Sequence, residues 1–209
     1  MPAEWAPHSA TWIAWPHHEP DWPGKLEAIP WVYAQIVRVL HRHERVETLC
    51  PNESVRDGAR QKLEAHGCHP DGYRLHLQPT DRVWLRDSAP TFAHNEDGRV
   101  VLVNWSFNAW AKYDNFGNDV HVGSAVERIT GHPRLQPTRP DGTPIVLEGG
   151  AIEANGTGLL MVTEECLLSP VQERNPGLDR AGYEQAFREW LGIDRTIWLG
   201  EGCEGDDTH

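Results

Sequence analysis

The sequence predicts an α/β fold assembled from a recurring strand–strand–helix–strand unit. Three observations carry that reading. Segments of strand periodicity alternate with segments of helical periodicity along the whole chain. The pattern restarts at a spacing of roughly 60 residues, an architectural repeat without residue self-similarity. Apolar residues make up 39% and charged residues 24%, so the chain can fill a core and is neither disordered nor collagen-like. The repeat divides the 209 residues into modules at approximately 1–78, 79–140 and 141–209, and no stretch reads as a flexible linker.

In the first module, Ala10 to Trp15 reads as a buried strand closed by Pro16. A helix is expected over 30–43, with Pro30 in its first turn and Tyr33, Ile36, Val37 and Leu40 at helical spacing. Val46 to Leu49 is a short strand before Pro51. The helix expected over 53–66 is capped by Asn52 or Ser54, carries Val55, Ala59 and Leu63 four apart, and ends at Gly67. Tyr73 to Gln78 alternates as a half-buried strand does.

In the second module, strands are expected at 83–85, 91–93 and 100–105. The turn Asn95-Glu96-Asp97-Gly98 joins the last two as a hairpin. A helix over about 116–130 is followed by Gly131, and 137–144 is a Pro- and Gly-rich loop. In the third, strands at 145–153 and 158–163 are joined by Asn155-Gly156. A helix runs from its N-cap Asp179 to Leu191, buries Tyr183, Phe187 and Trp190, and stops at Gly192. Arg195 to Leu199 closes the module.

Nineteen Lys and Arg against 31 Asp and Glu leave a net charge of −12. Such a chain is a poor partner for nucleic acid or an anionic membrane surface and suits a small cation better. The N-terminus has no basic region followed by an apolar run, and no segment has the roughly 20 apolar residues of a spanning helix. Cys50, Cys68, Cys166 and Cys203 lie far apart in sequence, which suggests free thiols in a reducing cytoplasm.

Three segments could carry chemistry. Trp84-Leu85-Arg86-Asp87-Ser88-Ala89-Pro90 puts an aromatic, a base and an acid at a strand end; the alternative is an Arg86–Asp87 surface pair capping a turn. Leu147-Glu148-Gly149-Gly150-Ala151 puts an acid before two glycines, where a backbone can approach a ligand closely; the alternative is a β-bulge with an exposed glutamate. Asn104-Trp105-Ser106-Phe107-Asn108-Ala109-Trp110 sets aromatics beside amides and could wall a pocket for a flat cation, or simply pack the core. Two carboxylates with aromatic walls suit a guanidinium, whose planar fork carboxylates bind bidentately. The twelve histidines, with the pairs His17-His18 and His66/His69 and the tail Asp206-Asp207-Thr208-His209, invite a metal reading. No HExxH or CxxC spacing supports it, and surface histidines account for them.

The sequence resembles the agmatine deiminase and bacterial-type peptidylarginine deiminase family over essentially its whole length. The resemblance is carried in order by MPAEWAPHSATWIAWP, WLRDSAPTF, NWSFNAWAKYD, LEGGAIE, TEECLLSPVQERNPG, IWLGEG and GDDTH. It implies a pentein-type α/β propeller of five ββαβ modules, about three of them present in these residues. It also implies a cofactor-free cysteine hydrolase in which a thiolate attacks the guanidinium carbon, a histidine acts as acid and base, and two carboxylates orient the substrate. On the matching positions, Asp87 and Glu148 look like those carboxylates, Trp84 is similar to the aromatic of the substrate channel, and Asn108 and Trp110 shape its wall. No metal site is implied.

The family pattern continues past GDDTH to a catalytic histidine and, much later, the nucleophilic cysteine. The sequence is therefore expected to be an N-terminal fragment without hydrolase activity of its own. The reaction implied for the full-length protein converts agmatine and water to N-carbamoylputrescine and ammonia in polyamine synthesis. Deimination of free or peptidyl arginine is the alternative within the class, and a non-catalytic guanidinium-binding module the alternative outside it. The expected partner is a small guanidino cation, the expected location the cytoplasm, and homo-oligomerisation of the full-length form is left open.

Overall fold

The computed structural model describes residues 1–206. Among them, nine strands form three three-stranded sheets, and in each sheet the strand order follows chain order. The chain divides into two compact units. One comprises Pro7–Leu85 with Gly117–Asp119; the other comprises Met1–Ala6, Arg86–Phe116 and the chain from Val120 onward.

The first unit alternates strand and helix: β1 (Ala10–Ala14), α1 (Ile29–Leu40), β2 (Arg45–Cys50), α2 (Glu53–Ala65) and β3 (Tyr73–Leu77). Both strand pairs are parallel, which requires a crossover between them, and the two helices supply it. Ala34 and Val37 of α1 and Ala59 and Leu63 of α2 bury their side chains with Val46, Cys50 and Tyr73. Asn52 rather than Ser54 caps α2, its side chain accepting from Val55 N at 3.0 Å. The first helix ends at Leu40, three residues short of the expected 43.

The strand expected at 83–85 does not form. Leu85–Ser88 makes a single helical turn, α3, instead. A three-residue apolar run does not distinguish strand from helix by periodicity, and Leu85 is buried either way.

In the second unit, β4 (Thr91–His94) and β5 (Val100–Val103) form the expected antiparallel hairpin. Its turn is closed by Asn95 Oδ1 accepting from Arg99 N at 2.9 Å and by Gly98 at φ 75°. The helix expected over 116–130 is shorter: α4 covers Val122–Thr130, is preceded by a 3-10 turn at Asp119–His121, and ends on left-handed Gly131. It leads to β6 (Arg134–Leu135), which pairs with β5 in parallel. The third sheet combines β7 (Glu153–Ala154), β8 (Leu159–Thr163) and β9 (Arg195–Leu199), with α5 (Glu164–Leu167) and α6 (Arg180–Leu191) between the last two strands.

The strand expected over 145–153 is broken. Val146 makes one bridge to Ser106, a 3-10 turn occupies Gly149–Ala151, and only Glu153–Ala154 joins a sheet. This break gives the chain the bend on which Glu148 sits. Around it, Leu147, Ile152, Leu160, Val162, Tyr183, Phe187 and Leu191 form one core, with Trp190 partly buried at its edge. No helix among the described residues is long and apolar enough to cross a membrane.

Helix α6 depends on its cap: Asp179 accepts from Gly182 N at 2.9 Å, and the helix places Tyr183 and Phe187 in the core. Replacing Asp179 by Ala is expected to lower stability by about 1 kcal/mol. A reduced urea midpoint at unchanged slope checks this.

Candidate functional site

The break in the third module and the α3 turn meet where side chains of the turn bond to the backbone of the break. Arg86 Nε donates to Gly149 O at 2.9 Å, and its other nitrogens reach Glu4 and Ile152 O. Gly150 N donates to Asp87 Oδ1 at 3.1 Å. Both glycines are required by this approach. A Cβ on Gly149 would stand 2.2 Å from Arg86 O, and one on Gly150 would stand 2.4 Å from Asp87 Oδ1. Arg86 and Asp87, read as a surface pair or as site residues, thus serve different partners: Arg86 fastens the two turns and Asp87 is held facing Glu148.

A cavity of about 470 Å³ opens here, lined by Asp87, Glu148, Arg174, Trp110 and Cys166 among others. Glu148 is 2% exposed. Its Oε1 accepts from Arg174 Nε at 3.2 Å, while its buried Oε2 has no hydrogen-bond partner. Burial pushes the Glu148 carboxyl above its ordinary range, and Arg174 opposes that rise. Asp87 is pushed up to about 6, first by burial and then by the charge of Glu148; the Gly150 N–H, Arg86 and Arg174 pull the other way. Cys166 is raised to about 11 by burial and by neighbouring acids, Glu148 first among them.

Trp110 reaches the cavity through an unusual backbone. Ala109, Trp110 and Ala111 have φ of 51°, 61° and 51°, three consecutive non-glycine residues in the left-handed region. That conformation costs roughly 1–2 kcal/mol per residue. Asn108 holds it, its Oδ1 accepting from Ala111 N at 3.0 Å, and Trp110 sits edge-on to Phe107 and Tyr113 with ring centroids 5.3 and 6.0 Å away. Asn108 is therefore placed as the cap of this turn, and it is Trp110 that lines the cavity.

Of the residues singled out by sequence, Asp87, Glu148 and Trp110 come together at one cavity. Trp84 belongs to the other unit, where its ring lies 5.7 Å from Trp22. The sequence reading does not place Arg174 and Cys166 in the lining; their position in the segment TEECLLSPVQERNPG was the available signal. Among the described residues, no group of three His, Cys, Asp or Glu side chains gathers to hold a metal. Asp207-Thr208-His209, part of the tail considered for a metal, lies outside the described residues.

A buried acid with an unpartnered oxygen and a half-buried one, against an indole wall, define a pocket able to accept N–H donors from a planar cation. Residues 1–209 match the family model described as Porphyromonas-type peptidyl-arginine deiminase, and the chain belongs to that family. It is 38% identical to an agmatine deiminase of Ectopseudomonas mendocina and 35% identical to one of Pseudomonas fluorescens, in each case over 100% of this chain and 54% of the relative. A solved agmatine deiminase of Enterococcus faecalis superposes with a TM-score of 0.83 at 26% identity, over 97% of this chain and 53% of that one. The fold class is thus the pentein type that the resemblance implied, and the chain spans about half the length of the curated relatives it matches.

Two substitutions test the local geometry. Ala111→Gly is expected to raise stability by about 1 kcal/mol, because glycine adopts positive φ without strain. Gly149→Ala is expected to lower it by on the order of 2 kcal/mol through the clash with Arg86 O. Opposite shifts of the thermal midpoint in the two variants are the readout.

Proposed function

We propose that this chain provides the guanidinium-holding part of an agmatine deiminase, within a single catalytic domain of modules at approximately 1–78, 79–140 and 141–209. The observation that carries the proposal is Glu148: a buried carboxylate with an unpartnered oxygen, in one cavity with Asp87. An unpaired buried acceptor of this kind is costly unless a donor arrives to meet it. The names of the relatives support a guanidino donor, and the acidic balance of −12 favours a cationic one.

Asp87 and Glu148 accept N–H donors of the substrate guanidinium and fix its carbon for attack, with Trp110 against its face. A thiolate then adds to that carbon. The bond to a terminal nitrogen breaks and, with a proton from the general acid, that nitrogen leaves as ammonia. Water, deprotonated by the same group, attacks the covalent intermediate, releasing the ureido product and the thiolate. Cys166 does not suit the nucleophile, since burial and three nearby acids disfavour its thiolate. We assign the nucleophile and the acid–base group to neither Cys166 nor any other described residue. The 209-residue chain is accordingly expected to bind agmatine without turning it over. No cofactor is required, and the proposed location is the cytoplasm.

Agmatine is favoured over arginine by the cations of the cavity. Arg86 is engaged by Glu4 and two carbonyls, and Arg174 by Glu148 and the Gln172 carbonyl. Both are committed, so neither is offered to a substrate carboxylate.

Calorimetry with agmatine tests this reading. Saturable binding lost in Asp87→Asn and Glu148→Gln supports it; equal binding by those variants overturns it. Affinity is expected to fall as pH drops through about 6, where Asp87 takes its proton. Stability responds with the opposite sign. A carboxyl whose folded pKa lies above its unfolded value binds more protons in the folded state, so its contribution rises on acidification from pH 7 towards 4. Thermal midpoints of wild type minus Asp87→Asn across that window check the sign.

A further inference from the structure

We propose that Arg174 is a positioning residue, which by holding Oε1 of Glu148 leaves Oε2 as the single acceptor that Glu148 turns to a guanidinium in the cavity. The proposal rests on the functional reading above and deepens it.

The Arg174 side chain is 0% exposed and that of Glu148 is 2% exposed, so this ion pair is fully removed from water. An arginine can meet a carboxylate with two parallel N–H bonds and so occupy both oxygens. Here it does not. Nε donates to Glu148 Oε1 at 3.2 Å, whereas Nη1 turns away to donate to Gln172 O at 3.0 Å. Gln172 stands at φ 54°, a left-handed conformation uncommon for a non-glycine residue, and its carbonyl is the one that draws Nη1 aside. The carboxylate is thereby half occupied, and Oε2 is buried without a partner.

The same guanidinium provides charge as well as orientation. It opposes the rise of both acids, which burial drives in each and the charge of Glu148 adds to at Asp87. Leaving Glu148 buried without its partner makes the neutral form favourable. A neutral Glu148 can still accept a hydrogen bond but no longer attracts a cation. Loss of Arg174 is therefore expected to act on ligand binding through pH, which loss of packing alone would not do.

The test is calorimetric titration of agmatine from pH 5.5 to 8.5 into wild type, Arg174→Gln, Arg174→Lys, Asp87→Asn and Glu148→Gln, each checked for folding by circular dichroism. Arg174→Gln is expected to bind at least tenfold more weakly at neutral pH. Its acid limb is expected to move up by one pH unit or more, with affinity recovering towards wild type at the alkaline end. Arg174→Lys, which keeps the charge but not the fork, is expected to retain the wild-type limb with a smaller loss. An unmoved limb in a folded Arg174→Gln overturns the proposal. If Arg174→Gln does not fold, Arg174→Lys decides: weakened binding on the wild-type limb supports the positioning role, and undiminished affinity overturns it. If wild type does not bind, or Asp87→Asn and Glu148→Gln bind as wild type does, the functional reading itself fails and this proposal falls with it.

Discussion

Asp87 and Glu148 place two carboxylates in one cavity, and the structure around them answers the cost of keeping them there. Each is pushed towards its neutral form by burial, and the charge of Glu148 adds to the rise at Asp87. The compensation is local and specific: one backbone N–H from Gly150 on Asp87, one guanidinium from Arg174 on Glu148. Glu148 is not fully satisfied by the protein, since its Oε2 is unpartnered. A cationic ligand would complete the arrangement, which supports the proposal that the cavity is a binding site.

The backbone features near the cavity serve that placement. The strand expected over 145–153 breaks at Gly149-Gly150 because only glycines can come within contact distance of the Arg86 carbonyl and the Asp87 carboxylate. The left-handed turn at 109–111 brings Trp110 to the cavity at a cost that Asn108 and the neighbouring rings offset. Strain of the kind seen at 109–111 is more often found at functional positions than in ordinary core.

Much of the fold was legible because its elements are locally consistent. The Asp179 cap with its 3.6-residue apolar spacing, the Asn95 to Gly98 turn and the alternation from Tyr73 each specify one local structure. The failures fall where tertiary contacts decide. Residues 83–85 carry too few positions to show a period, and 145–153 is apolar enough to pass for a strand until Arg86 and Asp87 pack against its glycines. The two acids could be picked out because each lies in a segment that carries the family resemblance, WLRDSAPTF and LEGGAIE. Arg174 could not, because its role depends on a contact 26 residues away in sequence. Asn108 was read towards the pocket wall, whereas its amide holds the backbone that presents Trp110.

The central claim is that Asp87 and Glu148 form one electrostatically coupled site built to receive a guanidinium. Carbon-13 NMR of the side-chain carboxyl of Asp87, titrated with and without agmatine, tests it most directly. The account predicts a midpoint near 6 in the free protein, falling when agmatine binds and falling in Glu148→Gln to a value that burial still holds above the ordinary range. An Asp87 that titrates in the ordinary carboxylate range and ignores both agmatine and the loss of the Glu148 charge would contradict it.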